Sequence, residues 1–407
     1  MSQEKFFNLL QRRSFSLLLI GNIFYSLGNA IFTICINWWV LVFTESEFQL
    51  GIVGTLNFLA MMVFGIVSGI IVDIFHRKKI IFISIIFRGL FIMIFPLLGI
   101  NGILQLWMVY IITFAQYTTF PFLVNGVTAI MPQFIEEEYM MPANALIDTS
   151  FWISNIIGFL SSGFLINFFG IYPLIFVSSL MFFISPFFFL KIPYSFEKSI
   201  IPTSFSNFFT DIRDGFHSMF KDKVLVIVIF TWTGIITLFS MGPTNIGWPV
   251  FSEKILNAGE IGYGLLVAVS SLSAMIGSII MSIWGQRIRM GRIYLMGLIL
   301  GGSGMILFSF TSVLSISLLV LFITYFFYPM LNVPYWTALQ NRVPEKELGK
   351  VSGASFTINM GLSPISTFFT GLIMENFSII LPFILCGSSF YISFIIAMSS
   401  KEIRKLD

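Results

Sequence analysis

In Gly69-Ile70-Ile71-Val72-Asp73-Ile74-Phe75-His76-Arg77-Lys78-Lys79 a long apolar run ends in one acid and then turns through a short basic loop. A small residue one helical turn before an acid lets a second helix approach closely, and the acid then sits at the membrane face with three cations just beyond it. That is the chemistry of an ionic latch. An ordinary basic loop on the inner side of a membrane needs the cations but not the Gly69 to Asp73 spacing.

The surrounding chain has the composition such a loop requires. Of its 407 residues, 57% are hydrophobic and only 10% charged, far from the soluble average of about 25% charged. The apolar runs are long enough to cross a hydrocarbon core of roughly 30 Å as helices and too long for barrel strands. We read twelve of them, at 15 to 43, 50 to 72, 80 to 99, 104 to 131, 144 to 168 and 171 to 190, then 223 to 250, 259 to 284, 293 to 311, 313 to 340, 350 to 374 and 378 to 398. The expected fold is an all-α membrane protein with two six-helix bundles, 1 to 190 and 223 to 407. Residues 191 to 222 join them. The first run lacks a small-residue cleavage site and reads as a retained span.

Twenty of the 22 Lys and Arg residues fall in loops that lie on one side if the N-terminus is cytoplasmic; Lys254 is alone on the other side and Arg88 lies within a span. Both termini are therefore expected in the cytoplasm, with the protein in the cell membrane. The cations are spread over short loops, so no nucleic-acid partner is implied despite the net charge of +3. The joining segment is amphipathic. Phe205, Phe208, Phe209, Ile212, Phe216 and Phe220 share one helical face, while Asp211, Arg213, Asp214 and His217 fall largely on the other. It is expected to lie along the inner membrane surface.

The two halves repeat at an offset of 208 residues. Gly51 pairs with Gly259, Gly54 with Gly262, Gly69 with Gly277, Tyr117 with Tyr325, Pro121 with Pro329 and Gly163 with Gly371. Parallel repeats of this kind are a sign of transporter halves. The second copy of the latch is degenerate, with Met281 in the place of Asp73 and Arg287, Arg289 and Arg292 at a different spacing.

The stretch from Gly69 to Lys79 resembles the signature loop of the major facilitator superfamily of secondary transporters, Gly-x-x-x-Asp-(Arg/Lys)-x-Gly-Arg-(Arg/Lys)-(Arg/Lys). Gly69, Asp73, Arg77, Lys78 and Lys79 match, whereas Ile74 replaces a cation and His76 a glycine. Glu136-Glu137-Glu138, Pro344 to Lys350 and Asp211-x-x-Asp214-Gly215 are similar to the branch of macrolide efflux proteins and enterobactin exporters. The resemblance implies alternating access, export of a drug, macrolide-like or siderophore-like molecule, and proton antiport; the residues leave open uptake of a neutral solute and a non-transporting receptor or scaffold, the latter disfavoured by the Asp73 latch and the span 1 stripe. The usual arginine of span 4 is replaced by Gln116, and span 5 lacks the Gly-Pro-Gly-Gly antiporter pattern.

Polar residues inside spans show where transport takes place. In span 1, Asn22, Ser26, Asn29, Thr33 and Asn37 lie on one helical face. Facing a wet cavity and bonding between helices are both open to such a stripe. The family places spans 4, 7 and 10 beside it, which adds Thr113, Gln116 and Tyr117, then Thr233, Thr237 and Asn245, then Thr324, Tyr325, Tyr328, Asn332 and Tyr335. A neutral, aromatic cavity of this kind suits a bulky amphiphile better than a phosphate, which wants several cations.

Charge chemistry has few candidates. Arg88 and Asp148 lie at similar depth in spans 3 and 5 and are expected to pair; Glu260 and Glu375 near the outer ends of spans 8 and 11 are the next acids. Protons are the expected coupling ion. With only His76 and His217, and with Cys35 and Cys386 inside apolar runs, no catalytic triad or metal cluster can be assembled. No nucleotide-binding loop is present either, so the chain is expected to be no enzyme, to carry no cofactor and to work as a monomer.

Overall fold

A computed structural model describes residues 9–193, 205–284 and 288–404, and the side chains of Asp73, Asp211 and Glu345 and of residues 205–209, 283 and 284 lie outside it. Arg287 and the side chains of Phe205, Phe208, Phe209 and Asp211 named above, with three of the twenty cations counted there, Lys5, Lys198 and Lys405, are therefore outside the described residues.

Among the described residues there are helices and no strands, and twelve of the helices are long and apolar enough to span a membrane. Spans 1 to 6 are Arg13–Thr44, Glu47–Val72, Arg77–Ile100, Leu106–Gln133, Glu137–Phe169 and Ile171–Leu190. Spans 7 to 12 are Lys223–Lys254, Gly259–Ser282, Met290–Ser309, Leu314–Arg342, Lys346–Asn376 and Leu381–Ser399. The linker helix is Phe205–Met219. A hydrocarbon environment offers no partner for a free N–H or C=O, so long apolar segments close their hydrogen bonds within themselves.

The repeat is visible in the breaks. Span 4 is interrupted at Thr119, just before Pro121, and span 10 at Phe327 and Tyr328, just before Pro329. A proline has no N–H for the preceding turn and crowds its carbonyl, so each helix restarts with the proline in its first turn.

The chain forms two compact units, residues 1–39 with 59–205 and residues 40–58 with 206–407. In the first, span 6 serines donate across to span 1 carbonyls exposed beside glycines: Ser178 to Gly28 (2.7 Å) and Ser185 to Gly21 (2.8 Å). Span 5 meets the same helix where a Cβ on Gly158 would stand 2.5 Å from Ala30 Cβ.

In the second unit, span 7 winds as π-helix over Phe230–Ile236 and Pro243–Gly247. Between them, in the α-helical turn Thr237–Gly242, the Gly242 N–H donates to Ser366 Oγ of span 11 at 2.8 Å. A Cβ at Gly242 would lie 2.4 Å from the Ser366 carbonyl oxygen and 2.0 Å from Thr370 Oγ1. Only glycine fits there. Gly242→Val is expected to lower the stability of the folded protein by about 3 kcal/mol or more, since overpacking against backbone has no side-chain escape. Thermal unfolding in detergent micelles checks it, with Gly361→Ala, which has open space, as the unaffected control.

Candidate functional site

The basic loop after span 2 belongs to the first unit. Arg77 Nη1 donates to the Ala129 carbonyl (2.8 Å) and Lys78 Nζ to the Ile192 carbonyl (2.5 Å), at the ends of spans 4 and 6, while Lys79 is exposed. Helix C-termini carry a partial negative charge, so both cations cap them. Among the described residues nothing outside its own turns of helix lies within 4 Å of the Gly69 Cβ position, so the close helix expected there is not found among them. Ser68, about 100° around the helix, accepts from Asn125 Nδ2 at 2.7 Å. The close approach is made by Gly277, the counterpart one repeat on, where a Cβ would meet the Phe326 carbonyl oxygen at 2.1 Å. The Asp73 side chain lies outside the described residues.

The span 1 stripe is packed into the first unit. Asn22 Nδ2 donates to Ser150 Oγ of span 5 (3.1 Å), Thr33 Oγ1 donates to the Asn29 carbonyl (2.8 Å), and Ser26 and Asn37 are buried. Asn29 Oδ1 accepts from Arg88 Nη2 at 2.6 Å, and Tyr25 Oη, on the same face, accepts from Arg88 Nη1. Arg88 is completely buried halfway along span 3. Its guanidinium carbon lies 4.9 Å from the Tyr25 and Phe182 ring centres and 5.4 Å from that of Tyr117. A cation at the bilayer centre costs about 3 kcal/mol on insertion scales. Three desolvated ring contacts at about 1 kcal/mol each offset a cost of that size.

The ion pair expected between Arg88 and Asp148 is not formed. Each residue lies eleven positions after its span begins, so the depths agree, but Asp148 is exposed and rings and amides fill the face that Arg88 presents. Tyr25 and Phe182, which make this cage, were not foreseen. Tyr25 was findable, one turn from Asn22 and Asn29 on the polar face of span 1; Phe182 carried no signal among so many phenylalanines.

The second unit holds an aromatic and hydroxyl wall. Tyr325 and Tyr328 stack at 5.9 Å, and Trp232 packs on Tyr328 at 5.3 Å and near Tyr335 at 6.4 Å. Ser355 joins Tyr335 Oη (2.5 Å) and Thr233 Oγ1 (3.3 Å), and Asn359 Nδ2 donates to Thr237 Oγ1 at 3.1 Å. Asn332 is half-buried; Asn245 is exposed, with its Nδ2 on the Met241 carbonyl. Trp232, Ser355 and Asn359 were missed: Trp232 lies in the strongly apolar span 7, while in span 11 Ser355 and Asn359 are two among many Ser, Thr and Asn residues.

Two charged clusters close the ends of this unit. At one end Lys254 Nζ meets Glu47 Oε1 at 2.5 Å. Beside it Glu375 Oε2 accepts from Ser46 Oγ and from the Phe48 N–H (2.8 Å), so a span 11 carboxylate caps the start of span 2. Glu260 is half-buried in the first turn of span 8. At the other end a Cβ on Gly215 of the linker helix would stand 2.2 Å from the Lys350 carbonyl oxygen, and Asp214 Oδ2 pairs with Lys350 Nζ at 2.8 Å. The linker helix, expected only to lie along the membrane, docks on the start of span 11. Arg213, Asp214 and His217 are exposed as its pattern implies, but Phe220 is exposed too, because the helix ends before it.

Asp222 Oδ1 caps span 7 through the Val224 and Leu225 N–H groups (2.7 and 3.2 Å) and its Oδ2 pairs with Arg342 at 2.8 Å. Burial pushes this carboxyl up, but Arg342 and the two N–H donors outweigh it and hold it below the usual carboxylate range. A depressed carboxyl stabilises the fold above its unfolded pKa and loses that stabilisation as pH falls through the folded value. Asp222→Ala is expected to cost about 1 kcal/mol for the cap alone, and Asp222→Asn, which keeps a cap acceptor, less. In thermal unfolding scans the gap between parent and Asp222→Ala should be full at neutral pH and narrow on acidification below pH of about 4.

The family model described as Major Facilitator Superfamily matches residues 18–367. An uncharacterized MFS-type transporter, YfiS of Bacillus subtilis (strain 168), is 24% identical over 363 residues, covering 85% of this chain and 83% of that protein. Macrolide efflux protein A of Streptococcus pyogenes is 22% identical over 391 residues, covering 93% and 94%. Among solved structures, the nucleoside transporter NupG superposes with a TM-score of 0.76 at 11% identity over 98% of this chain and 100% of that one. A bacterial homologue of the iron transporter ferroportin in an inward-facing state gives 0.71 at 14% identity, over 96% and 98%. At those identities the solved structures speak to the fold alone. With its twelve apolar spans, its repeated halves and a family match over most of its length, the chain is a multi-pass membrane protein that belongs to the Major Facilitator Superfamily of transporters.

Proposed function

We propose that this protein exports a bulky amphiphilic small molecule, drug-like, macrolide-like or siderophore-like, by alternating access coupled to inward proton flow. The observation that carries the reading is the wall of Trp232, Tyr325, Tyr328 and Tyr335 interleaved with Thr233, Thr237, Ser355 and Asn359. Flat rings with scattered hydroxyl and amide groups bind large ligands of mixed polarity. The likeness to macrolide efflux protein A over nearly the full length of both chains supports the same direction of transport. The distribution of Lys and Arg supports cytoplasmic termini in the cell (inner) membrane, and the proposed working unit is the monomer. Resistance to the exported drug is the expected phenotype.

Uptake of a neutral solute is the second reading, because the stacked pair Tyr325 and Tyr328 also fits a single uncharged ring. Energised vesicles of known orientation separate the two: export predicts accumulation of labelled macrolide, siderophore or lipophilic cation in inside-out vesicles, and uptake predicts accumulation in right-side-out ones.

Two substitutions test the mechanism in the same vesicles. Asp73→Asn is expected to cut transport tenfold or so with the protein still in the membrane, that being about the effect of losing one charge-assisted contact; normal transport removes the latch role. Asp148→Asn is expected to preserve exchange at equal concentrations and abolish proton-driven accumulation. An unchanged pH dependence moves the coupling role to Glu260 or Glu375.

A further inference from the structure

The hydroxyls inside the spans almost all have a partner. Thr33, Thr44, Thr55 and Thr128 donate to the carbonyl four residues back, and Ser178 and Ser185 to a neighbouring helix. Among the described residues only two buried hydroxyls lack a hydrogen-bond partner, Ser26 Oγ and Thr113 Oγ1. Both lie by Arg88. Ser26 follows Tyr25 and precedes Asn29 by one turn, and these two residues hold the guanidinium. Thr113 lies one turn before Tyr117, whose ring stands over that guanidinium.

Three more unsatisfied groups belong to Gln116, the chain neighbour of Tyr117, and to Arg88 itself. The amide nitrogen and oxygen of Gln116 are both buried without a partner, and so is Arg88 Nε. All four residues are fully buried. Among the described residues no carboxylate forms an ion pair with Arg88, whose charge meets only neutral oxygens and ring faces. A polar group in a low-dielectric interior normally finds its complement, so these orphaned donors, together with a cation that has ring faces but no counter-charge, describe half of an interaction. The missing half is an acceptor carrying one negative charge.

We infer that Arg88, Gln116, Thr113 and Ser26 form a subsite for one monovalent anionic group. Arg88 Nε, the Gln116 amide N–H and the two hydroxyls are its donors, and Tyr25, Tyr117 and Phe182 form apolar sides that suit a carboxylate or a halide and leave no second cation for a phosphate. The anion comes either from a carboxylate on the transported amphiphile or from an inorganic ion such as chloride. The inference rests on the transporter reading only for the first source.

The test is binding, so it does not depend on transport. Purified full-length protein in lipid nanodiscs is unfolded thermally at constant ionic strength in sodium sulfate, with sodium benzoate or sodium chloride replacing part of the salt. At about ten times Kd, a bound anion raises Tm by roughly 2–4 °C. Gln116→Leu removes an unsatisfied buried amide, so it should fold at least as well as the parent and should weaken the benzoate response at least tenfold. Arg88→Gln should abolish it. A response to benzoate alone assigns the site to a carboxylate, and a response to chloride as well assigns it to inorganic anions. No response in the parent, or an equal response in Gln116→Leu, overturns the subsite and leaves the export proposal to its own vesicle assay.

Discussion

Hydrocarbon cannot accept a hydrogen bond, and the architecture follows from that. Each span satisfies its own backbone, and where a span departs from α-helix a neighbouring side chain takes up the freed group. Gly242 and Ser366 are the plainest case, since between two π stretches of span 7 the Gly242 N–H is accepted by a span 11 hydroxyl. Proline breaks at Pro121 and Pro329 are placed one repeat apart, so the halves share their irregularities as well as their helices.

Packing between spans then relies on small residues, because lipid is as apolar as leucine and hydrophobicity cannot hold one helix against another. Gly21, Gly28 and Gly158 do this in the first unit, and Gly242, Gly277 and the Gly51–Gly371 contact in the second. At Gly51 and Gly371 the two helices meet backbone to backbone, and Thr55 and Thr367 bond beside them at 3.2 Å. The charged pairs sit at helix ends, as Glu47 with Lys254 and Asp222 with Arg342, where water and helix dipoles lower the cost of charge. Arg88 is the exception, and aromatic faces take the place of an acid around it.

Several features were legible in the sequence for physical reasons that act locally. Hydropathy over some twenty residues decides whether a segment enters a bilayer, which is why the read spans and the observed ones differ by a few residues at most ends. Proline and glycine act on their own turn, so the repeat at 208 residues and both breaks could be read directly. The family followed from the same local signals.

What the tertiary structure alone decided is which side chains meet. Arg88 and Asp148 have the depth that the sequence assigned them, yet depth is only one of two coordinates on a helix, and the rotation of spans 3 and 5 turns them to different surroundings. Gly69 has no close neighbour among the described residues outside its own turns of helix, while its counterpart Gly277 has one. Glu375 reaches the start of span 2 across 327 residues of chain, a contact with no trace in any local pattern. Rotation about the helix axis is set by many weak side-chain contacts with other spans, and no window of consecutive residues contains them.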